Sequence, residues 1–160
     1  MTKIRLFGVL SAGMALLANM LIENLLMAAK AKAVLIPGLL DFAPAWNRGV
    51  SFSLFWQDGD TGRYVLIAVL AAIVIGVGTL AWRAGNIAAG MGYGLIVGGA
   101  LGNLVDRSLY GAVFDYLFLH LGSVPLFVCN FSDIAISAGV FLLVADGLMA
   151  TRPGMEARQE

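Results

Sequence analysis

The run YVLIAVLAAIVIGVGTLAW (Tyr64–Trp82) and the run IAAGMGYGLIVGGALGNLV (Ile87–Val105) are separated only by Arg83-Ala84-Gly85-Asn86, and neither carries a charge. Crossing ~30 Å of hydrocarbon takes roughly 20 apolar residues in a helix. Each run therefore fits one crossing, and so short a connection requires a tight antiparallel hairpin. Two further stretches qualify on either side. One runs from about Leu6 to Ala29, interrupted by Asn19, Glu23 and Asn24. The other runs from about Phe131 to Met149, with Asp133 near its start and Asp146 near its end. The predicted fold is an all-α membrane protein of four transmembrane helices, a single integral membrane domain over residues 1–160.

Composition points the same way. The chain has 160 residues, 60% of them hydrophobic and 12% charged, with a mean hydropathy of +0.88. A soluble domain would be nearer half apolar and a quarter charged, so a soluble enzyme is excluded. Disorder is excluded too, because it needs low hydrophobicity and high charge. Ten basic and ten acidic residues cancel, which leaves no polybasic footprint for nucleic acid. One cysteine rules out a disulfide framework, and one histidine rules out a histidine-based metal site. The first segment follows Lys3 and Arg5 as an export signal would. Its apolar run is longer than the roughly 7–15 residues of a signal core, and it carries Glu23, so it is read as a retained anchor.

With four spans, both termini share a side with the Arg83 turn. Lys3, Arg5, Arg83, Arg152 and Arg158 lie there, against Lys30, Lys32, Arg48, Arg63 and Arg107 opposite. This balance leaves the positive-inside rule undecided. Parity still puts the end of the third helix and the start of the fourth on one face, so Asp106 and Asp133 should be neighbours in depth. Two long connections, 30–63 and 107–130, sit on that face. Val50-Ser51-Phe52-Ser53-Leu54 alternates as a strand does, and Gly111–Leu119 and Val124–Val128 are rich in Val, Phe, Tyr and Leu. A small β element above the bundle is expected.

Acids inside a membrane are costly, ~2.5–3.5 kcal/mol on insertion scales, and are functional candidates by default. Asp146 can reach the interface and reads as a snorkelling or capping acid. Asp106 has Asn103 three residues earlier and Asp133 has Asn130 at the same spacing, which puts each amide on its acid's helical face. The structural alternative has Asp106 closing a helix beside Arg107, and Asp133 serving a helix N-terminus where acids are favoured. Two carboxyls brought close share a proton, one acting as base and the other as acid. That is aspartic protease chemistry. Gly90, Gly94, Gly98 and Gly102, with Gly92 and Gly99 beside them, allow close backbone approach. Helix packing is the first reading of that stripe, with a substrate groove near Gly99 as the second.

The stretch Gly98-Gly99-Ala100-Leu101-Gly102-Asn103-Leu104-Val105-Asp106-Arg107 resembles the GGAxGNxxDR motif of the lipoprotein signal peptidases, signal peptidase II. Gly111-Ala112-Val113-Phe114-Asp115 resembles the family's GxVxD segment. Asn130-Phe131-Ser132-Asp133 resembles NxAD, and Asn47-Arg48-Gly49-Val50-Ser51-Phe52-Ser53 resembles NxGxAFS, each with serine for alanine. The family's DQxxK-like signature is replaced by Glu23-Asn24-Leu25-Leu26-Met27, and Cys129 stands where phenylalanine is usual.

The resemblance implies a bacterial inner-membrane protease with both termini cytoplasmic and its site near the outer surface, placing the two long connections and the β element outside the cytoplasm. It implies cleavage of a prolipoprotein before a diacylglyceryl-modified cysteine. Asp106 and Asp133 would be catalytic, with Asn47, Gly49, Phe52, Gly99, Asn103, Arg107, Asp115 and Asn130 supporting or binding substrate. Glu23 is read as a structural hydrogen-bonder beside Asn19, and Asp115 alternatively as a solvated loop acid pairing with Arg48 or Arg107. No metal or cofactor is required. The expected partners are the lipid-modified substrate and membrane lipids, with no nucleic acid and no second copy. The rival class is a proton-coupled carrier or channel subunit using the two acids as a relay.

Overall fold

The computed structural model describes residues 1–28, 32–49 and 60–150. Four helices, α1 (Lys3–Leu26), α2 (Asp60–Trp82), α3 (Ile87–Tyr110) and α4 (Phe131–Ala150), accompany strands β1 (Ala33–Ile36), β2 (Leu40–Asn47), β3 (Val113–Leu121) and β4 (Val124–Cys129). Each helix has a segment long and apolar enough to cross a membrane. The strands form one antiparallel sheet in the order β1-β2-β3-β4. The alternating segment at residues 50–54, including Phe52, lies outside the described residues.

Helix α3 is the centre of the bundle, and its glycines are the reason. Gly90, Gly94 and Gly98 lie against α1, where a Cβ at Gly98 would overlap the Ala12 carbonyl and meet Ala15 Cβ at 2.8 Å. Gly92 and Gly99 lie against α4, where a Cβ at Gly92 would come within 3.1 Å of the Gly139 carbonyl. Backbones in close contact replace the hydrophobic effect, which lipid cannot supply between helices. Gly99 is thus a packing residue against Ser132 and Ile136. At the far end Arg5 Nε donates to the Trp82 carbonyl at 3.2 Å, tying the start of α1 to the end of α2. Asn86 caps α3 by accepting from Ala89 N–H at 2.8 Å and donates to both oxygens of Asp146.

The helix α3 runs five residues past the expected end at Val105, so Asp106 and Arg107 belong to its last turns and not to a loop. Hydropathy marks an end where charge begins. Here the charges have partners, so the helix continues until Gly111, whose positive φ of 76° lets its N–H return to the Arg107 carbonyl. Arg63 of α2 satisfies that terminus further, donating to the carbonyls of Arg107 and Ser108 at 2.9 and 2.6 Å. The helix α1 likewise starts and stops about three residues before its expected limits, from Thr2 Oγ1 as its N-cap to Met27.

The sheet is anchored on the bundle by Phe42, Phe114 and Tyr116, against which Ile22, Leu26, Met27 and Phe131 pack. Met27 therefore fills an apolar contact where the family signature has lysine. Tyr116 Oη accepts from Phe131 N–H at 3.1 Å, joining β3 to the first turn of α4.

Candidate active site

Four elements meet where the sheet rests on the bundle. Helix α4 starts with a reciprocal cap: Asn130 Oδ1 accepts from Asp133 N–H at 3.1 Å, and Asp133 Oδ2 accepts from Asn130 N–H at 3.2 Å. This capping box explains the Asn-x-x-Asp spacing and fixes the Asp133 carboxyl. Its other oxygen accepts from Asn103 Nδ2, on α3, at 3.0 Å.

Asp115 comes from the sheet. Asn47 pairs with Val113 across β2 and β3, so Asp115, two residues on, shares its face diagonally. Asn47 Nδ2 donates to Asp115 Oδ2 at 3.0 Å, and Asn130 Nδ2 donates to Asp115 Oδ1 at 3.1 Å. Asn130 Nδ2 also donates to Asn103 Oδ1 at 3.1 Å. One asparagine thus bridges the two carboxyls, touching Asp115 through its amide and Asp133 through its backbone. Gly49 N–H donates to Asn47 Oδ1 at 3.0 Å, and the Gly49 carbonyl accepts from Arg107 Nη2 at 2.6 Å. Arg107 is buried, and its charge acts on Asp115, Asp133 and Asp106.

Asp106 stands elsewhere. It is 2% exposed, Phe114 N–H donates to its Oδ2 at 3.0 Å, and its other described partner is Glu23 of α1. The structure therefore brings Asn47, Gly49, Asn103, Arg107, Asp115, Asn130 and Asp133 together, and sets Asp106 on the bundle side with Glu23. Equal depth does not make equal facing: Asp106 meets β3 at Phe114 N–H and α1 at Glu23, while Asp133 meets Asn103 of α3 and the Asn130 cap. Asp115 is 3% exposed, which removes the solvated-loop reading. The available signal was its place between Phe114 and Tyr116, since an acid on a strand flanked by aromatic residues is held by a folded face. Glu23 and Asn19 face the bundle together, both buried, and Asn19 Oδ1 accepts from Ser132 N–H at 3.1 Å.

Burial pushes the Asp115 carboxyl up from 3.8 to about 7, opposed by the Asn47 hydrogen bond and reinforced by the charge of Asp133 more than that of Asp106. Asp115 thus keeps its proton to near neutrality. Burial also pushes the Cys129 thiol up to about 11, far from the thiolate that a nucleophile requires.

A stability slope follows. In the folded chain Asp115 keeps its proton between pH 3.8 and about 7, whereas the unfolded chain loses it near 3.8. The folded state binds more protons in that window, so stability falls as pH rises through it and is level above it. The slope amounts to on the order of 2–4 kcal/mol over the window. Thermal unfolding in detergent from pH 4 to pH 8 should reveal this decline in the wild type and its loss in Asp115→Asn. An equal decline in both proteins would refute the assignment.

A family model described as Signal peptidase (SPase) II matches residues 11–149. The lipoprotein signal peptidase of Methylorubrum extorquens (strain PA1) is 52% identical over 108 residues, which is 68% of this chain and 63% of that relative's length. The lipoprotein signal peptidase of Rhodopseudomonas palustris (strain TIE-1) is 33% identical over 165 residues, covering 98% of this chain and 99% of that one. A solved bacterial membrane enzyme shares the fold, with a TM-score of 0.78 at 19% identity over 96% of this chain and 94% of its own.

Proposed function

The chain belongs to the signal peptidase II family, and from that premise we propose that it is a membrane endopeptidase that removes the signal peptide from diacylglyceryl-modified prolipoproteins. The cut falls just before the lipidated cysteine. The observation that carries the mechanism is the bridge Asp115–Asn130–Asp133. The catalytic pair in this reading is Asp115 and Asp133, with Asp115 in the place that the motif resemblance gave to Asp106.

The roles follow from the surroundings. Asp115, buried and raised to about 7, holds the proton. Asp133, half-buried and fed by N–H donors on both oxygens, is the carboxylate. Asp133 takes a proton from water as the water oxygen attacks the scissile carbonyl carbon, while Asp115 gives its proton to the carbonyl oxygen. When the tetrahedral diol collapses, Asp133 passes its proton to the departing nitrogen and Asp115 recovers one from the diol hydroxyl. One water is consumed, one peptide bond is broken and both carboxyls regain their starting states. Asn103, Asn130 and Asn47 keep the two carboxyls in place, and Arg107 holds the Gly49 carbonyl beside them.

The protein sits in the bacterial inner membrane with both termini cytoplasmic, and the sheet and dyad lie near the outer surface. The acyl chains of the substrate remain in the bilayer while the peptide reaches the site, and the enzyme works as a monomer. The test is cleavage of a diacylglyceryl-modified preprolipoprotein by the purified protein in detergent. Release of the signal peptide is expected. A proton-coupled carrier would leave the substrate intact, and that result would overturn the proposal.

A further inference from the structure

Two buried acids have no part in the cycle above. Glu23 is 3% exposed and Asp106 2% exposed. Glu23 Oε1 is buried with no N–H or O–H donor among the described residues, and the side chain meets Asp106 in a hydrogen bond. Two carboxyl groups can hydrogen-bond only if a proton lies between them. Met27, packed on the aromatic cluster, leaves no cation one turn further along α1 to replace that proton with charge. Among the described residues the buried cation nearby is Arg107, which donates to the carbonyls of Gly49 and Asn103 and whose charge is shared among Asp106, Asp115 and Asp133.

Asp106 in turn holds Phe114 N–H at 3.0 Å. Phe114 immediately precedes Asp115, so the grip on that amide sets where β3 begins and how the next side chain faces Asn130. We propose that Glu23 and Asp106 form a second carboxyl pair that holds one proton and positions Asp115 by fixing the start of β3. Glu23 is then a positioning residue, acting through Asp106, and the functional part of this proposal rests on Asp115 belonging to the dyad. Losing the proton would leave two facing charges in a dry site. Their repulsion would loosen Asp106 from Phe114 N–H.

The closing experiment reads the proton and its consequence separately. Infrared spectra of the full chain carrying Asp115→Asn, so that Asp115 contributes no carboxyl, should contain at neutral pH in detergent a protonated-carboxyl C=O band that disappears when Glu23→Gln is added and equally when Asp106→Asn is added. In either variant an amide N–H takes the place of the shared proton. A band that survives either substitution overturns the shared proton, whatever the activity. On lipidated substrate, Glu23→Ala should lower kcat by about 10–100-fold, the cost of a misplaced catalytic group, with KM held within about twofold. Glu23→Gln should recover most of that loss. Unchanged kcat in Glu23→Ala, or Glu23→Gln as impaired as Glu23→Ala, overturns the positioning role. Should Glu23→Ala fail to fold, Glu23→Gln decides: activity as low as that of Asp115→Asn sinks the proposal. Because the infrared result does not depend on turnover, an active Asp115→Asn would defeat the dyad and leave the shared proton standing or falling on its own.

Discussion

Asp115→Asn and Asp133→Asn should each lower cleavage of a lipidated preprolipoprotein by roughly 10²–10⁴-fold, the range that one positioned acid or base contributes. Both substitutions are nearly isosteric. Asparagine in place of Asp115 can still accept from Asn130 or Asn47, so the sheet stays docked and the protein inserts and folds. The missing function is the proton, which an amide can neither give up nor take. Asp106→Asn separates this reading from the one that the motif resemblance implied. That amide can accept from Phe114 N–H and donate to Glu23, so its loss should stay within about tenfold, well below that of the dyad variants. Cys129→Ser, His120→Ala and a metal chelator should leave clear activity. Cys129 is a neutral buried thiol, and His120 lies in the sheet with Nε2 3.3 Å from Asp41. Assays need a preparation free of the host's own enzyme. Asp133→Asn or Asp115→Asn cleaving at near wild-type rate, or Asp106→Asn falling as far as they do, would transfer the dyad to another pair.

Removing the diacylglyceryl group from the substrate, with the peptide unchanged, should abolish most cleavage. The described site is a compact polar bridge beneath a small sheet, with few groups to read an extended peptide. Acyl chains held in the bilayer raise the local substrate concentration and fix the depth of the cysteine beside the dyad. Confinement of this kind is worth 10²–10⁴ in effective affinity when the geometry fits. The comparison is of initial rates for lipidated and unlipidated substrate at equal concentration in the same bilayer. Similar rates would mean that the peptide alone is recognised, and the membrane-anchoring argument would fail.

What the chain states without its tertiary structure is mostly a matter of cost in lipid. Uncharged runs of nineteen residues separated by Arg83-Ala84-Gly85-Asn86 can only be a helical hairpin, since unsatisfied backbone is intolerable in hydrocarbon. The spaced glycines of α3 announce close helix contact for the same reason, and its position at the centre of the bundle bears that reading out. Asn103 and Asn130 were legible beside Asp106 and Asp133 from three-residue spacing, on helix ends that parity places on one face, whereas Asn47 and Arg107 entered only through the motif resemblance. The packing role of Gly99 became plain only against Ser132.

The facing of the acids was not legible. Hydropathy prices a carboxyl against lipid and says nothing of its partner, so Asp106 read as a helix end and an active acid at once. Contacts across the fold set the facing: Phe114 N–H and Glu23 hold Asp106 on the bundle side, while Asn47, 68 residues away along the chain, draws Asp115 inward. The alternation of a strand gives Asp115 a face but not a neighbour. Its neighbour is set by the register of β2 on β3 and by a capping box at the start of α4. The register is a long-range pairing and the capping box a local one, and only the folded chain brings Asn130 of that box within hydrogen-bonding distance of Asp115.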